Sequence, residues 1–184
     1  MAVIDTKRLL AMFIITILFI STLFVVNVES ATEVIESQTV KDSMFDQLSS
    51  NVIAQSWENE EAAEVERFSV YIGPQDSSST TVQVGINSEK DSNPSNWFYS
   101  VSITADSAMW YQFSFSPAYT VSAGEKAWLL ISPDDDNTRI YGTDDGTNYP
   151  DGEKWDWDGS SWYSYIDDDI AFKVSTLNDA PLEP

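Results

Sequence analysis

Three acidic runs, Asp134-Asp135-Asp136, Asp144-Asp145 and Asp167-Asp168-Asp169, stand between apolar segments, and each concentrates carboxylates at one point of the chain. Calcium takes six to eight oxygen ligands, and loops at one end of a domain can pool them around one ion. None of the runs has the spaced EF-hand pattern. Successive side chains on an extended segment point opposite ways, so at most alternate members of Asp167 to Asp169 can face one ion. Two readings stand. In one, a structural calcium draws its ligands from Asp134, Asp136, Asp144 and Asp169, with Asp169 abutting the last strand. In the other, the loops of an acidic chain are simply acidic and solvated.

Aromatic residues are the second chemical resource, with seven tryptophans and eight tyrosines in 184 residues. Trp155, Trp157, Trp162, Tyr163 and Tyr165 crowd one hairpin next to the acidic loops. A flat aromatic face stacks on a sugar ring while nearby carboxylates take its hydroxyl hydrogen bonds. In a strand Trp155 and Trp157 share a face, whereas Trp162 and Tyr163 take opposite ones. The pair is therefore either half of a core or a ligand platform, and Trp155, Trp157, Trp162 and Tyr163 are the candidate ligand-binding residues. Trp97, Phe98 and Tyr99 form a second, smaller candidate patch. Trp110 and Trp128 sit among apolar neighbours in mid-strand and read as core.

Other chemistry is excluded by absence. The chain has no cysteine and no histidine, which removes thiol nucleophiles, the Ser-His-Asp arrangement and the usual zinc and haem ligands. Paired carboxylates can hydrolyse glycosides, and Asp156 and Asp158, between tryptophans, come nearest to such a pair. No apolar setting in the sequence separates their roles, so the expectation is a protein that is not an enzyme. The net charge of −21 repels nucleic acid and anionic lipid and suits a salt-rich setting in which screening relieves self-repulsion.

The elements that position these residues are strands. Thr81 to Ile86 alternates, with Val82, Val84 and Ile86 on one side, and Glu64 to Ile72 does the same with a slip at Arg67/Phe68. Further strands are expected over Asn51–Trp57, Trp97–Ile103, Trp110–Phe115, Lys126–Ile131, Thr138–Tyr141, Lys154–Trp157, Ser161–Tyr163 and Ile170–Val174. Turn formers separate them: Gly73-Pro74, Ser116-Pro117 ending a strand, Ala123-Gly124-Glu125, and Asp158-Gly159-Ser160 as a tight hairpin loop. Ten short segments, of which eight or nine count as separate strands, lack helical periodicity and predict an all-β fold, a two-layer antiparallel β-sandwich of jelly-roll type following an N-terminal hydrophobic helix.

Gln55-Ser56-Trp57, Trp110-Tyr111-Gln112-Phe113 with Ser116-Pro117, Ser122 to Trp128 (SAGEKAW), Tyr149-Pro150-Asp151-Gly152 and Asp169-Ile170-Ala171-Phe172 occur in this order. Together they resemble a jelly-roll-type β-sandwich module that recurs in secreted and cell-surface proteins of bacteria and archaea, often appended to enzymes or adhesive repeats. The resemblance covers Gln55 to Val174 and brings no catalytic residues. It implies an accessory role in carbohydrate binding or surface adhesion.

At the N-terminus Lys7 and Arg8 precede an apolar run from Leu9 to Val26 broken only by Thr16, Ser21 and Thr22, the layout of a secretion signal. Its length also falls within the roughly 17 to 25 residues that cross a bilayer as a helix. Residues 1–30 are thus either a signal peptide, with Val28 and Ser30 before the cut, or a membrane anchor. Both place the remainder outside the cell membrane, and this segment is the expected membrane contact. Residues 31–50 read as a spacer or a short helix around Asp42 to Leu48, 51–177 as the sandwich domain and 178–184 as a tail. The functional expectation is an extracellular binding or adhesion module for a glycan or surface polymer. The alternative is a structural surface protein tethered by its N-terminal segment.

Overall fold

The computed structural model describes residues 31–47, 51–76, 78–144, 149 and 152–178. The chain divides into Met1–Ser30, which lies outside the described residues, and the unit Ala31–Pro184. Among the described residues thirteen strands form two antiparallel sheets of seven and six. In chain order they are β1 (Ala31–Gln38), β2 (Ser43–Gln47), β3 (Val52–Glu58), β4 (Ala63–Pro74), β5 (Thr80–Asn87), β6 (Tyr99–Ala105), β7 (Met109–Val121), β8 (Lys126–Pro133), β9 (Thr138–Thr143), β10 (Lys154–Trp157), β11 (Trp162–Tyr165), β12 (Asp169–Ile170) and β13 (Phe172–Asn178). The six-stranded sheet runs β11-β10-β3-β8-β5-β6. In the other, β4 pairs with β7 on one edge and with β13 and then β9 on the other, while β1 and β2 flank β13 and β9.

Three expectations are corrected. The strand count exceeds eight or nine because residues 31–47 add β1 and β2, and the last expected strand divides at Ala171 into β12, paired with β9, and β13, paired with β4 and β1. Ala31–Gln38 and Ser43–Gln47 are strands, where a spacer or short helix was expected: β1 pairs with β13 and β2 with β9. The third concerns Ser116-Pro117, which does not end its strand, since β7 continues to Val121. Arg67 pairs with Ser114 and Val65 with Tyr119, and Pro117 lies in that register shift, where a missing backbone N–H breaks no ladder.

The slip at Arg67/Phe68 is the other side of the same irregularity. It brings Val65, Phe68, Val70 and Ile72 to one inner face. Against them pack Ile53, Trp57, Val82, Val84, Ile86, Leu129 and Ile131 of the six-stranded sheet. A buried polar clasp joins the layers: Gln55 Nε2 donates to Asp169 Oδ1 (2.9 Å), and the Ile170 N–H donates to Gln55 Oε1 (3.0 Å). In the β7–β8 turn Gly124 takes φ +72°, a conformation that glycine adopts without steric cost.

Candidate functional site

The six-stranded sheet has a second apolar face, directed away from the sandwich core. Direct cross-strand partners share a face, and the register runs Ser164–Trp155–Ala54–Leu130–Gly85 across β11, β10, β3, β8 and β5. Trp157 lies beside Val52 and Trp162 in the neighbouring row. The result is a cluster of Val52, Ala54, Trp97, Trp128 and Leu130 with Trp155, Trp157 and Trp162 packed half-buried against it. The rings of Trp157 and Trp162 stand 5.7 Å apart at 54°. Trp155, Trp157 and Trp162 are thus brought together outside the core.

Local sequence explains the placement. Asp158 Oδ1 accepts from the N–H of Ser160 (2.8 Å) and Ser161 (2.9 Å), closing the loop between β10 and β11, and Gly159 takes φ +97°. These bonds to the charged carboxylate also hold the Asp158 pKa below the usual value. The loop sets Trp157 opposite Trp162, and Asp156 opposite Tyr163 on the other face. Tyr163 is exposed and separated from the tryptophan cluster by the sheet itself.

Trp128 is buried, as expected, and its place is in this smaller cluster on the outer face. Trp110, by contrast, lies outside both clusters, on the outer side of the seven-stranded sheet, edge-on to Tyr71 (5.5 Å) with Lys173 Nζ 4.6 Å from its centroid. Both strands carry apolar residues on two faces, and in β8 the unbroken run Ala127-Trp128-Leu129-Leu130-Ile131 is the sign of a strand covered on both sides.

Two charged residues that the sequence did not single out complete the face. Lys90, from the β5–β6 connection, places Nζ 3.1 Å from the Trp155 centroid, 5.2 Å from Trp128 and 6.0 Å from Trp162. Burial lowers its pKa, partly offset by the charge of Glu153. Glu153 accepts from Trp155 Nε1 (2.9 Å) and Lys126 Nζ (3.2 Å), and these bonds lower its own pKa. Trp97 is fixed from the same connection by Nε1 donating to the Asp91 carbonyl (2.8 Å).

On the opposite face of the hairpin Lys154 is buried, with Nζ 3.1 Å from Asp156 and 3.2 Å from Asp168 and the rings of Phe45 and Tyr165 at 4.4 and 4.3 Å. Burial raises the pKa of Asp156 against the pull of Lys154. The opposite shifts of Asp156 and Asp158 therefore arise from burial and from a turn.

The candidate calcium ligands are not gathered at one point. Asp134 and Asp136 are exposed before β9, and Asp144 is exposed after it. That strand is six residues long, which at about 3.3 Å per residue separates its ends by roughly 20 Å. Asp169 is buried in the clasp with Gln55. Asp135 organises its own turn, accepting from Thr80 Oγ1 (2.8 Å) and the Asn137 N–H (2.9 Å). Among the described residues no group of three or more acidic side chains converges as a metal site. A groove of about 620 Å³ lies elsewhere, lined by Glu36, Asn59, Glu60, Glu61, Glu64 and Glu66 among others. Among the described residues no helix is long and apolar enough to cross a membrane. No family model, curated protein or solved structure matches the chain.

Proposed function

We propose that this domain is an extracellular, non-catalytic binding module of jelly-roll type whose outer tryptophan face docks carbohydrate. The observation that carries the reading is the position of Trp155, Trp157 and Trp162, half-buried on the outside of a sheet whose inner face already supplies the core. The three indoles cover Val52, Ala54 and Leu130 and still leave part of their own surface exposed. Indole faces beside a carboxylate suit pyranose rings, which present apolar C–H faces and hydroxyl edges.

The test is a glycan array probed with the full chain, its Trp157→Ala and Trp162→Ala variants, and Tyr163→Ala as a control on the opposite face. The expected outcome is glycan signal that Tyr163→Ala retains and the tryptophan variants lose. No signal from the folded wild-type chain, or signal indifferent to both tryptophans, overturns the proposal.

A second reading, a tethered structural subunit of a cell surface, draws support from β7. Among the described residues this thirteen-residue strand is paired on one edge only, to β4, and an open edge is a route to strand addition. Concentration-dependent assembly in sedimentation, abolished by a proline at Gln112, favours it; a monomer at all concentrations opposes it.

A further inference from the structure

We infer that the carbohydrate bound by the tryptophan face is an amino sugar, presented by a cationic glycan, and that Lys90 occupies the place of its ammonium group in the free protein. This rests on the carbohydrate reading above and adds the charge of the ligand.

The site already holds an alkylammonium. Lys90 Nζ stands over Trp155, with Trp128 and Trp162 at 5.2 and 6.0 Å. A cation over indole faces is attracted by the ring quadrupole, and aromatic cages of this kind recognise ammonium ligands. The chain has 30 acidic residues against nine basic ones, yet among the described residues no carboxylate lies within ion-pairing distance of Lys90. Its ammonium goes to the rings. The carboxylate beside the cage, Glu153, is already bonded to Trp155 and Lys126 and acts on Lys90 through its field.

Lys90 is suited to being displaced. Burial disfavours its charged form, so release into water returns hydration that the cage withholds. The side chain comes from a connection between strands and can swing away without breaking a ladder. A glucosamine-type residue supplies the same ammonium together with a ring, and the next sugar meets Trp157 and Trp162, 5.7 Å apart on the same face. The net charge of −21 draws a polycation towards the domain and repels a polyanion.

The experiment titrates the full chain with β-1,4-linked glucosamine hexamer and, separately, with its N-acetylated counterpart, following tryptophan fluorescence in wild type, Lys90→Ala, Lys90→Arg and Trp155→Ala. The amino oligomer is expected to bind at least about tenfold more tightly than the acetylated one, Lys90→Ala to tighten it about three- to tenfold by vacating the cage, and Lys90→Arg to leave it near wild type. Trp155→Ala is expected to lose the preference, with its fold checked by circular dichroism; should it unfold, Trp155→Leu replaces it.

Equal binding of both oligomers, or preference for the acetylated one, overturns the amino-sugar inference and leaves the carbohydrate reading standing. Amino-oligomer binding that Trp155→Ala does not change is attraction to the acidic loops, and it overturns the inference too. Weaker binding in Lys90→Ala shows Lys90 to be a strut of the face and overturns its role as stand-in. No binding of either oligomer overturns the inference, and an array without signal removes the carbohydrate reading with it.

Discussion

The ammonium of Lys90 lies 3.1 Å from the ring centroid of Trp155, so a connection between two strands of one sheet is pinned to a hairpin at that sheet's far edge. The contact spans β10, β3, β8 and β5, four successive strands of the sheet.

Removing the ring should therefore loosen the connection as well as destabilise the fold. Trp155→Ala is expected to cost about 1 to 3 kcal/mol, less than the roughly 3 to 5 of a fully buried tryptophan because Trp155 is half-buried. Urea denaturation gives the magnitude. Hydrogen exchange of residues 88–93 should rise at the same time, whereas a purely local effect would leave these amides unchanged.

The clasp between the sheets predicts a larger loss. Gln55→Leu keeps the volume and leaves both Asp169 Oδ1 and the Ile170 N–H without the Gln55 bonds. A buried group deprived of its partner costs about 1 to 3 kcal/mol, more when charged, so a total of about 3 to 5 kcal/mol is expected in urea denaturation. A loss under 1 kcal/mol would mean that water replaces Gln55.

Gln55 and Asp169 also show what the sequence conceals. Strand positions such as Thr81 to Ile86 are legible because a one-residue slip would turn Val82, Val84 and Ile86 to the wrong face. The bulge at Arg67/Phe68 is legible as a break in the same period. An acidic residue beside a strand carries no mark that distinguishes a metal ligand from a buried acceptor, and only the strand facing Asp169 reveals Gln55. The aromatic hairpin is visible as composition, but whether Trp155 faces core or solvent depends on which face of β3 and β8 was already filled. Lys90 is separated from Trp155 by more than 60 positions, and no local pattern joins them.

Lys154 tests the energetics of burying charge. Taking away its ammonium leaves Asp156 and Asp168 facing one another, so Lys154→Met is expected to cost about 3 to 5 kcal/mol, and adding Asp156→Asn and Asp168→Asn should recover most of it. Thermal denaturation of the single and triple variants measures the difference. Equal loss in both would place the contribution of Lys154 in its packing against Phe45 and Tyr165.

Two acidic residues of the hairpin should respond to pH with opposite sign. Glu153 is held below its usual value of 4.5 by the Trp155 and Lys126 hydrogen bonds, so it contributes stability above pH 4.5 that is lost as pH falls through its folded pKa. Asp156 is raised above 3.8 by burial, so its contribution is present below 3.8 and is lost as pH rises through its folded pKa. Urea denaturation between pH 3 and 7 should show the advantage of wild type over Glu153→Gln shrinking in acid, and its standing relative to Asp156→Asn improving in acid. The same slope for both variants would contradict these environments.

Gly85 offers a test that reaches the tryptophan face from beneath. It lies in β5, in the row of Trp155, Ala54 and Leu130, and a Cβ there would overlap the Tyr99 carbonyl oxygen and the Trp97 ring. The carbonyl belongs to the paired strand β6 and cannot withdraw without opening the ladder, so the strain is shared between that ladder and Trp97 with the connection that carries Lys90. Gly85→Ala is expected to cost about 1 to 3 kcal/mol from overpacking and to change the near-ultraviolet circular dichroism of the tryptophans. If the spectrum is unaltered while stability falls, the strain has gone into the β5–β6 ladder and the tryptophan face is mechanically independent of its own connection.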